Sequence, residues 1–359
     1  MAGVYLSYPF CAQKCTYCNF ASDVQPRGLE TQYREALRAE LTSAEWPWQP
    51  QTVYLGGGTP SLLDPIALAE LLEAIPGKPW IEATMEAAPG SIDEVKARAW
   101  AECGINRVSL GVQSFDSREL ARTGRKHSAE IVDREIAILR KAGIANFNID
   151  LIAGLPGQTR ESWNRSLDWI ARLEAPHVSV YMLEVDEDSR LGAEVLAFGK
   201  RYGASDVPTE DAIAEFYELA VERLAAMGIL RYEISNFARP GFESRHNLKY
   251  WRHEPYLGFG ADAHSFDGRC RSQNAETAKE YVERYAKGLP FTISTTDAEP
   301  GEELFLGLRL DQGIEADWSP YADAVQRFEK DGLVERSGNR LRLTPRGVLL
   351  SNEVFAEFV

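Results

Sequence analysis

The stretch Tyr8-Pro9-Phe10-Cys11-Ala12-Gln13-Lys14-Cys15-Thr16-Tyr17-Cys18-Asn19-Phe20 holds three of the chain's five cysteines, in the spacing C-x3-C-x2-C. A cubane iron–sulfur cluster ordinarily takes four thiolates. Three close thiolates with no fourth nearby leave one iron open, and an open position is how a metal site admits a substrate or a second cofactor. Other chemistries fit these cysteines less well. A disulfide framework belongs to small secreted chains, and this one has 359 residues. Zinc asks for a fourth ligand. A thioredoxin-like pair at Cys15 and Cys18 would leave Cys11 without a role. Cys103 and Cys270 stand alone and read as ordinary core or strand residues.

Working outward, residues 4–8 before the cysteine loop read as a strand, and residues 31–44 after it have helical spacing at Tyr33, Leu37 and Leu41. The alternation then repeats. Strands are expected at 52–55, 81–86, 107–112, 147–152 and 177–183. Helices are expected at 66–75, 92–102, 129–142 and 161–173, with Gly104 and Gly143 as C-terminal stops. Six strand–helix alternations call for a parallel sheet with right-handed crossovers. The unusual residues fall at strand ends: the cysteines after the first, Gly56-Gly57-Gly58-Thr59-Pro60 after the second, Glu86 at the third, Gln113 after the fourth, Asp150 in the fifth. Barrel-type sheets gather their chemistry on that rim.

Beyond the sixth strand the pattern loosens into a polar excursion over 186–209, a strong helix at 211–227 and a strand at 232–237. From about residue 300 the order is helix, hairpin, helix: 321–330, then 333–336 and 340–343 around Ser337-Gly338-Asn339. That outline is winged-helix-like. The net charge of −15 argues against a nucleic-acid partner and for a small structural domain. No apolar run reaches the roughly 18–20 residues that span a bilayer, and the start lacks the features of a secretory signal. The expectation is a cytoplasmic protein in a reducing compartment, with peripheral membrane contact left open.

Taken together, the cysteine loop, the glycine run, Gly111-Val112-Gln113-Ser114-Phe115, Asn148-Ile149-Asp150-Leu151-Ile152 and Gly154-Leu155-Pro156 resemble the radical S-adenosylmethionine (SAM) family. More narrowly, the chain is similar to the oxygen-independent coproporphyrinogen III oxidase group and, within it, to the haem chaperone (HemW) branch. The resemblance implies an α/β fold: a partial (β/α)6 TIM-like barrel over 1–240 carrying a 4Fe-4S cluster and SAM, a haem-linked connector over 241–299, and a smaller α+β winged-helix-like domain over 300–359. It implies Cys11, Cys15 and Cys18 as cluster ligands, with the open iron taken by the SAM methionyl group. Gly57, Gly58 and Thr59 would face its amino end, where the missing Cβ allows close approach. Tyr5 and Tyr17 would lie near SAM, and Glu86, Gln113, Arg125 and Asp150 would hold its polar parts. The implied chemistry is reductive SAM cleavage.

Two features separate the branches. The coproporphyrinogen dehydrogenases resemble C-x3-C-x2-C-x-C, and here Phe20 stands at the extra cysteine. They also carry an N-terminal extension, for which the few residues before the first strand leave no room. Both disfavour porphyrinogen decarboxylation. The run His246-Asn247-Leu248-Lys249-Tyr250-Trp251 matches the chaperone branch's H-N-x-x-Y-W, whose histidine is linked with haem. Imidazole is a standard iron ligand. His253 and His264 are weaker rivals, and His127 and His177 read as structural. The resemblance further implies haem as cargo, a haemoprotein acceptor in respiratory metabolism, and a homodimer. Where the family has histidine, this chain has Ser7.

Overall fold

The computed structural model describes residues 2–358. Its parallel core is β1 (Gly3–Tyr8), β2 (Thr52–Gly57), β3 (Glu82–Ala87), β4 (Arg107–Gln113), β5 (Asn146–Ala153) and β6 (His177–Met182), paired in sequence order. Between them run α1 (Arg27–Ser43), α2 (Pro65–Glu73), α3 (Glu94–Glu102), α4 (Ser117–Thr123), α5 (Ala129–Lys141) and α6 (Arg160–Arg172). Local chemistry sets the helix ends. Asp64 caps α2 from its carboxylate, with Pro65 as the first helical residue, and Thr159 and Ser162 form a capping box on α6. Helices α3 and α5 stop at Gly104 (φ 98°) and Gly143 (φ 89°). The following amides, Ile105 and Ile144, bond back to the carbonyls of Trp100 and Leu139, as in a Schellman turn.

Strand alternation divides the sheet into two faces. Val4, Leu6, Val53, Leu55, Val108, Leu110, Ile149 and Val178 are buried with the helices' apolar residues, including the fully buried Leu37, Leu41 and Trp163. Each such side chain contributes about 1.5–3 kcal/mol by leaving water. Tyr5, Tyr54, Glu86, Asp150 and Tyr181 take the opposite, inward face.

The chain continues through α7 (Arg190–Leu196), α8 (Glu210–Ala226), β7 (Leu230–Arg231), β8 (Asn236–Ala238), α9 (Arg245–Trp251), β9 (Tyr256–Phe259), β10 (His264–Phe266), β11 (Cys270–Asn274), α10 (Ala278–Ala286) and β12 (Thr292–Asp297). The described residues form one 12-stranded sheet, ordered β12-β11-β10-β9-β1-β2-β3-β4-β5-β6-β8-β7. The strand expected at 232–237 is instead a tight β7–β8 pair. The segment expected as a connector adds α9 to the base of the barrel and extends the sheet beyond β1, with β9 parallel to it. Short polar strands such as β11 and β12 lack the apolar alternation that announces a strand.

The remainder is α11 (Glu302–Leu308), β13 (Ile314–Glu315), α12 (Ala322–Lys330), β14 (Val334–Ser337), β15 (Arg340–Leu343), α13 (Pro345–Leu349) and α14 (Ser351–Phe355). Its separate 3-stranded sheet, β13-β15-β14, holds the expected hairpin. Among the described residues no helix is long and apolar enough to cross a membrane.

Candidate cluster and cofactor site

The cysteine loop leaves β1 at the C-terminal rim. A bridge between Phe10 and Asp23 closes it, and the Cys11 amide donates to the Asp23 carbonyl at 3.0 Å. All three thiols are free and partly exposed. Burial pushes the Cys18 thiol up, and its neighbours Cys15 and Cys11 add to the shift. A metal bound to such a thiol deprotonates it and takes up its charge. Among the described residues no three His, Cys, Asp or Glu side chains converge as a single metal ion requires. A cubane differs in that each thiolate takes its own iron.

Glycines make room beside this loop. A Cβ on Gly58 would stand 2.7 Å from the Phe10 carbonyl oxygen and 2.8 Å from the Tyr8 carbonyl oxygen. The Gly58 amide instead donates to Tyr8 at 2.9 Å, and that of Thr59 to Phe10 at 2.9 Å. Gly57 has φ 104°, a conformation natural only to glycine. A Cβ on Gly56 would meet Tyr5 and Tyr54 at 3.0 Å and the Glu86 carboxylate at 3.2 Å. The run therefore holds an open cradle between the thiols and the inward face.

That face is polar. The Tyr54 hydroxyl donates to Glu86 at 2.9 Å, and Tyr5 stacks on Tyr54 at 6.2 Å. Burial pushes the Glu86 carboxyl up to about 7; Tyr54 and the Gly57 amide oppose the shift, and Asp150 adds to it. Asp150 is also raised by burial, against hydrogen bonds from Ser179 and Asn148. Thr84 Oγ1 and Arg107 Nε are buried there without a hydrogen-bond partner among the described residues. Two reluctant carboxylates and unpartnered polar atoms suit a ligand rich in hydroxyl and amino groups.

Arg125 joins this face to the loop. Its Nε donates to the Tyr17 hydroxyl at 3.1 Å and its Nη1 to the Gly111 carbonyl at 2.6 Å. Gln113 sits at a register shift in β4 with φ 70°, a bulge that re-aims its side chain. Beside Arg125, burial drives His127 down to about 4, and its Nε2 lies 3.1 Å from the Val112 carbonyl.

The fold thus brings Cys11, Cys15, Cys18, Tyr5, Tyr17, Gly57, Gly58, Thr59, Glu86, Gln113, Arg125 and Asp150 to one rim and its inward face. Tyr54, Arg107 and Tyr181 belong with them and went unread; period-2 alternation back from Gly56 could have found Tyr54, whereas Tyr181 is brought in by the β5–β6 register. The polar excursion also has a role. Asn19 donates to Asp186 at 2.6 Å, the Leu191 amide to Thr16 at 2.8 Å, and Arg190 to the Lys14 carbonyl, strapping the cysteine loop down.

His246 does not join them. It lies in α9, which plugs the opposite end of the barrel. Its Nδ1 is 2.8 Å from Thr52 Oγ1 and its Nε2 is 2.8 Å from the Tyr250 hydroxyl. Glu82 caps α9 by accepting from the Arg245 and His246 amides at 3.0 and 2.9 Å. Tyr54 packs beside the ring at 5.3 Å. With both nitrogens engaged and 1% exposure, His246 sits in the core of this structure, away from the cysteine rim.

Comparison with known proteins places this geometry. Residues 5–170 match the Radical SAM superfamily and residues 295–350 the HemN C-terminal domain. The heme chaperone HemW of Bacillus subtilis is 34% identical over 100% of this chain and 99% of its own length. The heme chaperone HemW of Mycobacterium tuberculosis (strain H37Rv) is 37% identical over 98% and 93%. The structure of coproporphyrinogen III oxidase (HemN) from Escherichia coli, a radical SAM enzyme, aligns with a TM-score of 0.85 at 21% identity, covering 99% of this chain and 89% of that one, which establishes the shared fold. The chain belongs to the radical SAM superfamily and, within it, to the HemW family.

Proposed function

We propose that the chain is a radical SAM haem chaperone, which binds haem and passes it to an acceptor haemoprotein in the cytoplasm or at the membrane surface. The observation that carries this is the near-full-length similarity to proteins named heme chaperone HemW. Phe20, 65% exposed where the dehydrogenase branch has cysteine, supports it.

Cys11, Cys15 and Cys18 would hold the 4Fe-4S cluster. Tyr5, Gly57, Gly58, Thr59, Glu86, Gln113, Arg125 and Asp150, with Tyr17 orienting Arg125, would hold SAM. Together these cofactors supply one-electron reductive cleavage of the sulfonium. The protein's own part is positional. The glycines keep the cradle open, the strap from residues 186–209 fixes the loop, and Glu86 and Asp150 offer carboxyl oxygens to hydroxyl and amino groups. We assign the barrel and its cofactors to 1–240, the haem-linked segment to 241–299 and the small domain to 300–359.

Anaerobic reconstitution followed by paired haem-transfer and coproporphyrinogen-turnover assays tests the proposal. Transfer of haem without vinyl-bearing product is expected. Turnover of coproporphyrinogen would favour the dehydrogenase instead.

A further inference from the structure

Inside the barrel, a chain of buried polar groups leads away from Asp150. Asn148, two residues earlier on β5, donates from Nδ2 to Asp150 Oδ1 at 2.6 Å and to the Ser109 and Ser179 hydroxyls at 2.7 and 2.9 Å. Its Oδ1 lies 2.7 Å from His177 Nδ1 on β6. On the other side of that ring, Nε2 lies 2.9 Å from the Tyr232 hydroxyl, which accepts from the Ser244 amide at 3.1 Å. Ser244 is the N-cap of α9: its hydroxyl accepts from the Asn247 amide and donates to Glu82, both at 3.3 Å. Hydrogen bonds therefore run unbroken from Asp150 to the helix that plugs the far end of the barrel.

This chain has one direction, and its end groups dictate it. An ionised carboxylate only accepts, so the Asn148 amide must turn its NH2 towards Asp150. That leaves the amide oxygen for His177, whose Nδ1 must carry the proton. In that tautomer Nε2 is bare and takes the Tyr232 proton, and the Tyr232 oxygen is left to accept from Ser244. Burial, with the Arg107 guanidinium adding to it, pushes His177 well below the usual imidazole range, so the ring stays neutral.

Asn148, His177 and Ser244 are each at most 2% exposed, so water does not compete for these bonds. Aligned bonds in such surroundings strengthen one another. At the Asp150 end, the short bond on Oδ1 fixes the rotation of the carboxyl group and with it the aim of Oδ2. At the α9 end, Tyr232 and Glu82 hold the backbone of the first turn.

We propose that Asn148, His177 and Tyr232 are positioning residues for SAM binding: together they orient the Asp150 carboxylate and couple it to the order of α9. The inference rests on the SAM site proposed above. Each of the three acts through its neighbour and none touches the nucleoside. The coupling is reciprocal by linkage: SAM at Asp150 tightens the first turn of α9, and a firmly held α9 raises the affinity for SAM.

Equilibrium dialysis of SAM against the anaerobically reconstituted full-length protein tests this, together with hydrogen exchange of the α9 amides and nitrogen NMR of the histidine rings. In wild type, His177 should report the neutral tautomer protonated at Nδ1, and SAM should slow exchange in α9. Tyr232→Phe, checked for folding by circular dichroism, should raise the SAM Kd about 3–10-fold, the scale of one hydrogen bond, and abolish the SAM-dependent slowing. His177→Ala should weaken SAM binding likewise, and His177→Asn, whose amide N–H replaces that of Nδ1, should recover most of the loss. Asp93→Ala removes the N-cap of α3, away from the chain, and should leave SAM affinity and α9 exchange unchanged. Wild type that binds SAM while Tyr232→Phe keeps both its affinity and its SAM-dependent exchange overturns the inference and leaves the SAM site standing. So does a His177 ring protonated at Nε2, or a loss in Asp93→Ala as large as that in Tyr232→Phe. Wild type that binds no SAM sinks both.

Discussion

Replacing His246 by alanine separates a core histidine from a haem ligand. The imidazole bridges the Thr52 and Tyr250 hydroxyls at 2.8 Å each. Removing it orphans two buried hydroxyls at about 1–3 kcal/mol apiece, so the variant should lose roughly 2–6 kcal/mol at pH 8. Acid sharpens the distinction. Burial, with Lys249 and Arg107 nearby, drives the His246 ring down to about 3 from its ordinary 6.5. The folded state therefore refuses a proton that the unfolded chain takes up below about pH 6.5. Stability from this group is present above pH 6.5 and lost as the pH falls towards 3, at about 1.4 kcal/mol per unit. Wild type should lose about 2 kcal/mol through His246 between pH 8 and pH 5, and His246→Ala should not. Urea unfolding of the two full-length proteins at both pH values reads the difference, which should narrow by about 2 kcal/mol on acidification. A stability gap that stays constant with pH, or no gap at all, would refute the claim that this ring is buried, neutral and doubly bonded.

Alanine at Cys11, Cys15 or Cys18 should abolish the cluster's visible absorbance after anaerobic reconstitution; full-strength absorbance would show that the thiols are not the ligands. Gly58→Ala forces a Cβ against backbone atoms of Phe10 and Tyr8 at 2.7 and 2.8 Å. It should cost about 1–3 kcal/mol and loosen cluster retention, seen as faster iron release to a chelator. Glu86, raised to about 7 from 4.5, contributes stability at low pH that is lost as the pH rises through 7. Glu86→Gln should flatten that loss in urea titrations without SAM and weaken SAM binding about tenfold, on the scale of one hydrogen bond. Arg309→Ala leaves Glu233, 0% exposed and 3.5 Å from that guanidinium, without its cation; thermal unfolding should register about 3–5 kcal/mol.

The amino-acid order alone determined the parallel core and its chemical rim. Strands β1 to β6 are apolar alternations, helices α3, α4 and α5 stop at glycines with positive φ, and the site residues sit at or near strand ends, all properties of segments a few residues long. The strap across the cysteine loop was illegible, because residues 186–209 carry no periodicity and act through single hydrogen bonds to Thr16, Lys14 and Asn19. So was the extension of the sheet by β9 to β12, whose polar strands are defined by their partners. Position in the barrel decided the histidines. In sequence His246 and His253 are neighbours of one motif. Only the packing of α9 against Glu82 and Thr52 turns one ring into the core, where both nitrogens are consumed, and leaves the other in the following turn, stacked on Phe266. Whether a polar side chain is satisfied depends on groups hundreds of residues away in the chain, and that is settled by tertiary contact.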